Sequence, residues 1–125
     1  QGLPRAQCCL GYCTEKGIGT EADPEAAAEW YRRSAEGGYS RGMYNYACCF
    51  ENGTGVKKDL ALAQQWYERA AKEGLPDAMY ELGVWYEDGR CGPKDTAQAL
   101  AWYKKAAETG HDRARKAVER MEKLV

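Results

Sequence analysis

The sequence lacks the features that mark membrane proteins and nucleic-acid binders. No stretch approaches the roughly 18 consecutive apolar residues that a membrane-spanning helix needs. Neither sign of charge predominates, since 18 Lys and Arg residues stand against 19 Asp and Glu residues and the formal net charge is −1. This balance excludes the basic surface typical of proteins that bind nucleic acids or anionic membranes. We therefore expect neither nucleic-acid binding nor membrane insertion.

Residues that carry catalysis are also scarce. The chain has one histidine, His111, and its two serines, Ser34 and Ser40, have no spacing that supports a Ser-His-acid arrangement. The segments GIGT and GTGV look like phosphate-binding loops, but they follow helical rather than strand-like patterns. The sequence therefore predicts a protein that is not an enzyme and that needs no cofactor.

The composition favours helices. Val, Ile and Thr are sparse, whereas Ala, Glu, Lys and Leu are frequent. Fourteen glycines and four prolines then need places between the helices, which predicts short loops at regular intervals.

A repeat of 36 residues runs through the chain without a gap. Eight columns hold the same residue in all three copies. In the first copy these residues are Glu15, Gly17, Asp23, Ala27, Trp30, Tyr31, Ala35 and Gly38. A Trp-Tyr pair that recurs at a fixed spacing is too rare to arise by chance, so we interpret the chain as a repeat array.

Each copy is predicted to form two helices. Gly17 and its equivalents suit the left-handed residue that ends a helix, and Asp23 and its equivalents suit an N-cap. Apolar residues after each aspartate recur at offsets that place them on one helical face. The predicted helices span residues 4–16, 24–37, 40–52, 60–73, 76–88 and 96–109.

We expect one domain over residues 1–125, with repeats at about 4–39, 40–75 and 76–111 and a cap helix at 112–125. The cap segment is amphipathic, as the last unit of a solenoid must be to cover its apolar face. The first four residues have the phase of a second-helix end. We therefore expect the chain to be an excerpt from a longer array or a processed product.

The repeat unit resembles the Sel-one-like repeat family, a relative of the tetratricopeptide repeat. In the third copy the matching residues are Ala78, Leu82, Gly83, Tyr86, Gly89, Asp95, Ala99, Trp102, Tyr103, Ala106, Ala107 and Gly110. The resemblance implies an all-α fold, an α/α solenoid with right-handed superhelical twist built from three helix-turn-helix repeats and a capping helix. It also implies a non-enzymatic scaffold or adaptor with a concave groove lined by the first helices.

The analogy with tetratricopeptide geometry predicts which residues face the groove. Arg and Tyr are enriched in binding hot spots, an amide such as that of Asn45 can bind a peptide backbone, and arginines can hold a carboxylate. The predicted groove residues are Arg5, Cys8, Cys9, Tyr12, Arg41, Tyr44, Asn45, Cys48, Asp77, Tyr80, Glu81, Val84, Arg113, Lys116 and Arg120. We expect a monomer that binds a peptide or protein segment there. The repeated glutamates Glu15, Glu51 and Glu87 are instead expected to be structural.

Six cysteines require a separate account. Cys13 and Cys49 share a repeat position with Trp85, which predicts apolar packing there. Equivalent positions on stacked helices lie ~8–10 Å apart, too far for a disulfide between those two cysteines. Disulfide-rich relatives hold their pair where this chain has Ala35 and Met43, so that framework is absent. Its absence favours a reducing compartment such as the cytoplasm, with export still open.

Two alternative functions remain open at this point. The first is thiol-dependent metal binding or redox chemistry, since Cys9 and Cys13 lie on one predicted helix face with Cys8 or Cys48 nearby. The absence of C-x2-C spacing and of further ligands weighs against it. The second is a hydrolase activity such as that suggested for some disulfide-rich relatives, which the missing disulfide positions disfavour.

Overall fold

The computed structural model describes residues 2–90 and 92–123, and within them it contains seven α-helices and no strand. The helices are α1 (Gly2–Lys16), α2 (Pro24–Glu36), α3 (Ser40–Asn52), α4 (Leu60–Lys72), α5 (Pro76–Asp88), α6 (Thr96–Glu108) and α7 (Asp112–Lys123). The six repeat helices agree with the predicted bounds to within two residues. The largest difference is at α1, which begins two residues earlier than predicted. The last two residues of the predicted cap helix, and Cys91, lie outside the described part of the chain.

The predicted capping residues set the helix boundaries. Asp23, Asp59 and Asp95 each accept a hydrogen bond from a backbone N–H three residues later, over distances of 3.2, 3.1 and 3.0 Å. Gly53 and Gly89 end α3 and α5 in the left-handed conformation, with φ of 73° and 69°. Both predictions are confirmed, and both have the physical basis given above.

The helices stack in chain order. Within the repeats α1 packs on α2, α3 on α4 and α5 on α6, and between them α2 packs on α3, α4 on α5 and α6 on α7. This succession of neighbour contacts defines a helical solenoid and confirms the predicted fold class. No helix in the described ranges is both long enough and apolar enough to cross a lipid bilayer.

A fully buried tyrosine occupies the centre of each repeat. Tyr31, Tyr67 and Tyr103 are 2%, 1% and 1% exposed, and Tyr31 and Tyr103 each lie directly against a glycine of the first helix of their repeat, Gly11 and Gly83. The contact is so close that a Cβ atom added at Gly83 would lie 2.5 Å from the ring of Tyr103. The close approach of α5 to α6 therefore requires glycine at this position.

The final helix closes the stack. Ala114, Ala117 and Met121 of α7 are buried, and the last two join Ala99 and Tyr103 of α6 in one apolar cluster. The helix thus covers the last repeat with its apolar side, as its amphipathic sequence predicts.

Candidate functional site

A repeated hydrogen bond fixes the first helix of each repeat to the second. The hydroxyls of Tyr31, Tyr67 and Tyr103 donate to the carboxylates of Glu15, Glu51 and Glu87 over 2.7, 2.6 and 2.8 Å. Burial, with the adjacent carboxylate, raises the pKa of each tyrosine, so all three hydroxyls remain donors. The structural role expected for the three glutamates is confirmed. They set the position of the side chains that α1, α3 and α5 carry.

The helices α1, α3, α5 and α7 form a surface that we call the first-helix face. A cavity of about 220 Å³ lies between α1 and α3, and we call it the α1–α3 cavity. A cavity of about 350 Å³ lies where α3, α5 and the start of α7 meet, and we call it the α3–α5–α7 cavity. Of the predicted groove residues, the α1–α3 cavity is lined by Tyr12, Asn45 and Cys48. The α3–α5–α7 cavity is lined by Tyr44, Asp77, Tyr80, Glu81 and Arg113.

Near the α1–α3 cavity, one predicted groove residue is buried and not exposed. Cys8 is only 5% exposed, and its sulfur accepts a hydrogen bond from the Asn45 side-chain nitrogen at 3.3 Å. The expectation that Cys8 faces a ligand is therefore wrong, because the longer Asn45 side chain covers it. The Asn45 side-chain oxygen accepts no hydrogen bond from any described residue and remains available. Tyr12 is 51% exposed at the same cavity.

The described cysteines are free thiols, and three of them lie in environments that disfavour reaction. Burial raises the pKa of Cys48 to about 11 and that of Cys49 to about 12, and it also raises the pKa of Cys8. The Cys48 sulfur also lies 3.2 Å from the Tyr67 hydroxyl oxygen. Because the thiolate is the metal-binding and nucleophilic form, these three residues are poor candidates for either role. Residues 2–90 and 92–123 contain no group of three or more His, Cys, Asp or Glu side chains placed to hold a metal ion.

In the α3–α5–α7 cavity, one of the arginines expected to hold a ligand carboxylate, Arg41, is paired within the chain. The Arg41 guanidinium donates to Asp77 at 2.8 Å, so Arg41 already has a carboxylate from its own chain. His111 lies 3.0 Å from the other oxygen of Asp77. Burial alone would raise the pKa of Asp77, but Arg41 and His111 together lower it.

His111 joins two elements and was missed as part of the face in the sequence reasoning. Its Nδ1 accepts a hydrogen bond from the Ala114 backbone N–H at 3.1 Å, so Nε2 carries the proton and donates to Asp77. Its ring also stacks on Tyr80, with ring centres 5.0 Å apart. The available signal was its position, one residue before the predicted cap helix, where a side-chain acceptor can serve as N-cap.

Glu81 differs from its charged neighbours. Asp77, Glu51 and Glu87 each have a cationic partner, whereas Glu81 has no hydrogen bond or ion pair to any described residue. Burial raises the pKa of Glu81, Glu51 raises it further, and Arg90 and Arg113 oppose the shift. Glu81 is thus a half-buried carboxylate without a direct hydrogen-bond or ion-pair partner among the described residues, which is costly in a folded protein.

The rings beside Glu81 are fixed by packing. The Tyr44 ring packs edge-on against the Tyr67 ring, with ring centres 5.4 Å apart. The Arg41 guanidinium lies 5.1 Å from the centre of the Tyr44 ring. Tyr80 is held by its stack on His111 and packs on Tyr103 at 5.6 Å. Neither the Tyr44 nor the Tyr80 hydroxyl forms a hydrogen bond with a described residue, so both remain available.

The other predicted groove residues divide into those that contact other side chains of the chain and those that have no ion pair. Val84 packs against the α6–α7 cluster, and the guanidinium of Arg120 binds Glu87 through two hydrogen bonds. Neither of these two is free to bind a ligand. The exposed residues without an ion pair to any described residue are Arg5, Arg113 and Lys116.

The comparisons with known proteins define the class. The model of the Sel1 repeat family matches residues 4–39, 40–75 and 76–111, and the chain belongs to this family. Sel1 repeats are generally protein–protein interaction scaffolds, and their fold is typically non-catalytic. The resemblance identified from the sequence is confirmed.

Individual relatives share the fold over most of the chain. A Sel1 repeat protein from Oxalobacter formigenes is 36% identical with a TM-score of 0.88, over 92% of this chain and 47% of its own. A protective antigen of uropathogenic Escherichia coli is 31% identical with a TM-score of 0.89, over 97% of this chain and 26% of its own. Helicobacter pylori cysteine rich protein B is 24% identical with a TM-score of 0.78, over 91% of this chain and 88% of its own, and shows the fold alone.

The chain also matches a curated eukaryotic protein over a short stretch. Chitin synthase regulatory factor 3 of Schizosaccharomyces pombe is 44% identical over 41 residues, which are 33% of this chain and 4% of that protein. The chain thus spans less than half the length of this protein and of the first two structural relatives.

Proposed function

We propose that this chain is an interaction module that binds a peptide or protein segment along the first-helix face, without catalysing a reaction. The observation that carries the proposal is the set of polar groups at the two cavities that form no hydrogen bond with a described residue. These groups are the Asn45 oxygen, the Tyr44 and Tyr80 hydroxyls and the Glu81 carboxylate. Polar groups of this kind at concave, partly apolar sites are typical of surfaces that a partner covers.

The placement of the aromatic residues supports an extended partner. Tyr12 lies at the α1–α3 cavity, and Tyr44 and Tyr80 lie at the α3–α5–α7 cavity. A segment that crosses α3 would meet both cavities and would place aromatic contacts near the centre of the interface, where hot spots concentrate. Exposed Arg5, Arg113 and Lys116 supply polar groups around this surface.

Site-specific photo-crosslinking tests this proposal. A photoreactive phenylalanine analogue replaces Tyr80 in one protein and Lys105, on the neighbouring helix α6, in a matched control. We expect a partner to be crosslinked at position 80 and not at position 105, and its yield to fall when Tyr44→Ala or Tyr12→Ala is added.

Two results would contradict the proposal. One is equal crosslinking at positions 80 and 105. The other is a partner whose yield is unchanged when Tyr44→Ala and Tyr12→Ala are combined. Circular dichroism of each variant checks that the helices remain folded, so that a lost partner is not attributed to unfolding.

A further inference from the structure

The α3–α5–α7 cavity contains one half-buried carboxylate that has no hydrogen bond or ion pair to a described residue. Asp77 is neutralised by Arg41, and its second oxygen is occupied by His111. Glu81 lines the same cavity without a partner among the described residues. A half-buried carboxylate has already lost part of its hydration, so a ligand cation can restore an interaction that water no longer provides in full.

The aromatic walls fit the same kind of ligand. The rings of Tyr44 and Tyr80 line the cavity with Glu81, and both are held in place by neighbouring rings. Aromatic faces attract cations, and they also pack against the methylene groups that carry the charge of lysine or arginine. We propose that this cavity binds a lysine or arginine side chain of the partner segment, with its charged group on Glu81 and its methylene groups on Tyr44 and Tyr80.

Arg113 provides the competing interpretation, in which the cavity binds an acidic side chain. Arg113 is exposed and lies on the first turn of α7, where water hydrates its guanidinium at little cost. Glu81 is the more buried of the two charges, so pairing it with a ligand gains more free energy than pairing Arg113. Arg113 is therefore expected to repel the bound cation weakly, and its removal is expected to tighten binding.

This inference rests on the proposed function, and its test separates the two. A phage-displayed library of random dodecapeptides is selected on the purified chain, and the selected peptides are synthesised for fluorescence anisotropy. The protein variants are Glu81→Gln, Arg113→Gln, Tyr80→Ala and, as a charge-matched control on α6, Glu108→Gln. Each peptide is also made with norleucine in place of its basic residue.

We expect the selected peptides to be enriched in lysine or arginine at one position. Glu81→Gln is expected to weaken them about tenfold, which is the scale of one charge-assisted hydrogen bond. Replacing the basic residue with norleucine is expected to weaken binding to the wild-type chain by the same factor. It is expected to cause no further loss of affinity for the Glu81→Gln chain. Arg113→Gln should tighten binding about threefold, and Glu108→Gln should leave it unchanged.

The contrary outcomes differ for the two proposals. Peptides that lose binding with Tyr80→Ala but bind Glu81→Gln as well as wild type would overturn the assignment of a cationic side chain and leave the proposed function in place. Peptides whose affinity is unchanged by both Tyr80→Ala and Glu81→Gln, or a library that yields no binding peptide, would overturn both proposals.

Discussion

At the scale of single residues, the junction of the first and second repeats differs from the later junctions at a pair of positions in contact between α2 and α3. A Cβ atom added at Gly42 would lie 2.2 Å from the Ser34 hydroxyl oxygen. That hydroxyl donates to the Pro4 carbonyl at 2.6 Å, so it is not free to turn away. At the two later junctions both positions are alanine. The pairs are Ala70 with Ala78 and Ala106 with Ala114. Serine and glycine thus compensate for each other in size.

This compensation predicts a coupled pair of substitutions. We expect Gly42→Ala to lower the free energy of unfolding by about 1–3 kcal/mol, since the added methyl group overpacks the contact. Ser34→Ala in the same chain should recover most of that loss, because it recreates the alanine pair. Urea unfolding of the wild type, both single variants and the double variant gives the coupling energy. Additive effects of the two changes would show that the contact does not determine residue choice.

The buried tyrosine–glutamate bonds give a second residue-scale prediction. Tyr67→Phe should destabilise the chain by about 1–2 kcal/mol, because it removes the donor to Glu51 and the contact with the Cys48 sulfur. Tyr103→Phe should cost less, since Glu87 keeps two hydrogen bonds to Arg120 whereas Glu51 keeps one to Arg90. Thermal unfolding of both variants checks this order, and the reverse order would contradict the role assigned to the glutamates.

The accessibility of the thiols gives a third prediction at the residue scale. The raised pKa of Cys48, about 11 against the ordinary value of 9.0, lowers its thiolate fraction at neutral pH about a hundredfold. We expect Cys48 and Cys49 to react with an alkylating reagent only on unfolding, and exposed Cys9 to react in the native state. Mass spectrometry of briefly alkylated protein measures this. Fast labelling of Cys48 in the native protein would contradict this expectation and would favour the alternative of thiol-dependent metal binding or redox chemistry.

At the scale of elements, one side chain connects the start of α7 to α5. His111 caps the helix through the Ala114 N–H, donates to Asp77 of α5 and stacks on Tyr80. These three contacts bring the last helix against the α3–α5–α7 cavity, whose wall includes Arg113. The cavity is therefore formed by tertiary contacts, and the repeat pattern by itself does not specify it.

Replacing this side chain is expected to loosen one helix. His111→Ala should cost about 1–2 kcal/mol, the range of a lost N-cap, and should accelerate amide exchange in α7 more than in α3. His111→Asn should restore part of the loss, because it retains an N-cap acceptor near the Ala114 N–H. Hydrogen exchange measured by mass spectrometry distinguishes these cases, and uniform acceleration in all helices would contradict the local role.

At the scale of the whole molecule, the two cavity carboxyls give stability opposite dependences on pH. The lowered pKa of Asp77 means that its contribution is present above the ordinary carboxyl pKa and is lost as pH falls through the lowered value. The raised pKa of Glu81 means that the folded state holds its proton more tightly, so stability falls as pH rises through the carboxyl range.

Glu81→Gln is therefore expected to increase the stability of the free chain at pH 7 while it weakens ligand binding. Urea unfolding at pH 4 and pH 7 measures the first effect, with Glu108→Gln as the control. A Glu81→Gln chain that is less stable than wild type at pH 7 would show that Glu81 has a stabilising partner.

The sequence predicts the solenoid well because its signals are local. The N-cap aspartates and the glycines at helix ends act within one turn, and their recurrence sets the 36-residue period. The candidate site is predicted less completely, because it depends on side-chain reach between helices. Cys8 shares its repeat position with Tyr44 and Tyr80, yet the short cysteine is covered where the tyrosines reach the surface. Likewise, the repeat aligns Arg41 with Asp77, but only the helix spacing decides that they form an ion pair.

The most direct test of the account is an NMR titration of the isotope-labelled chain with a peptide selected from the random library. We predict that the largest backbone amide shifts occur on α3, α5 and the first turn of α7, around Tyr44, Asn45, Tyr80, Glu81 and Arg113. Shifts concentrated on α2, α4 and α6 would contradict the central claim that the first-helix face binds the partner.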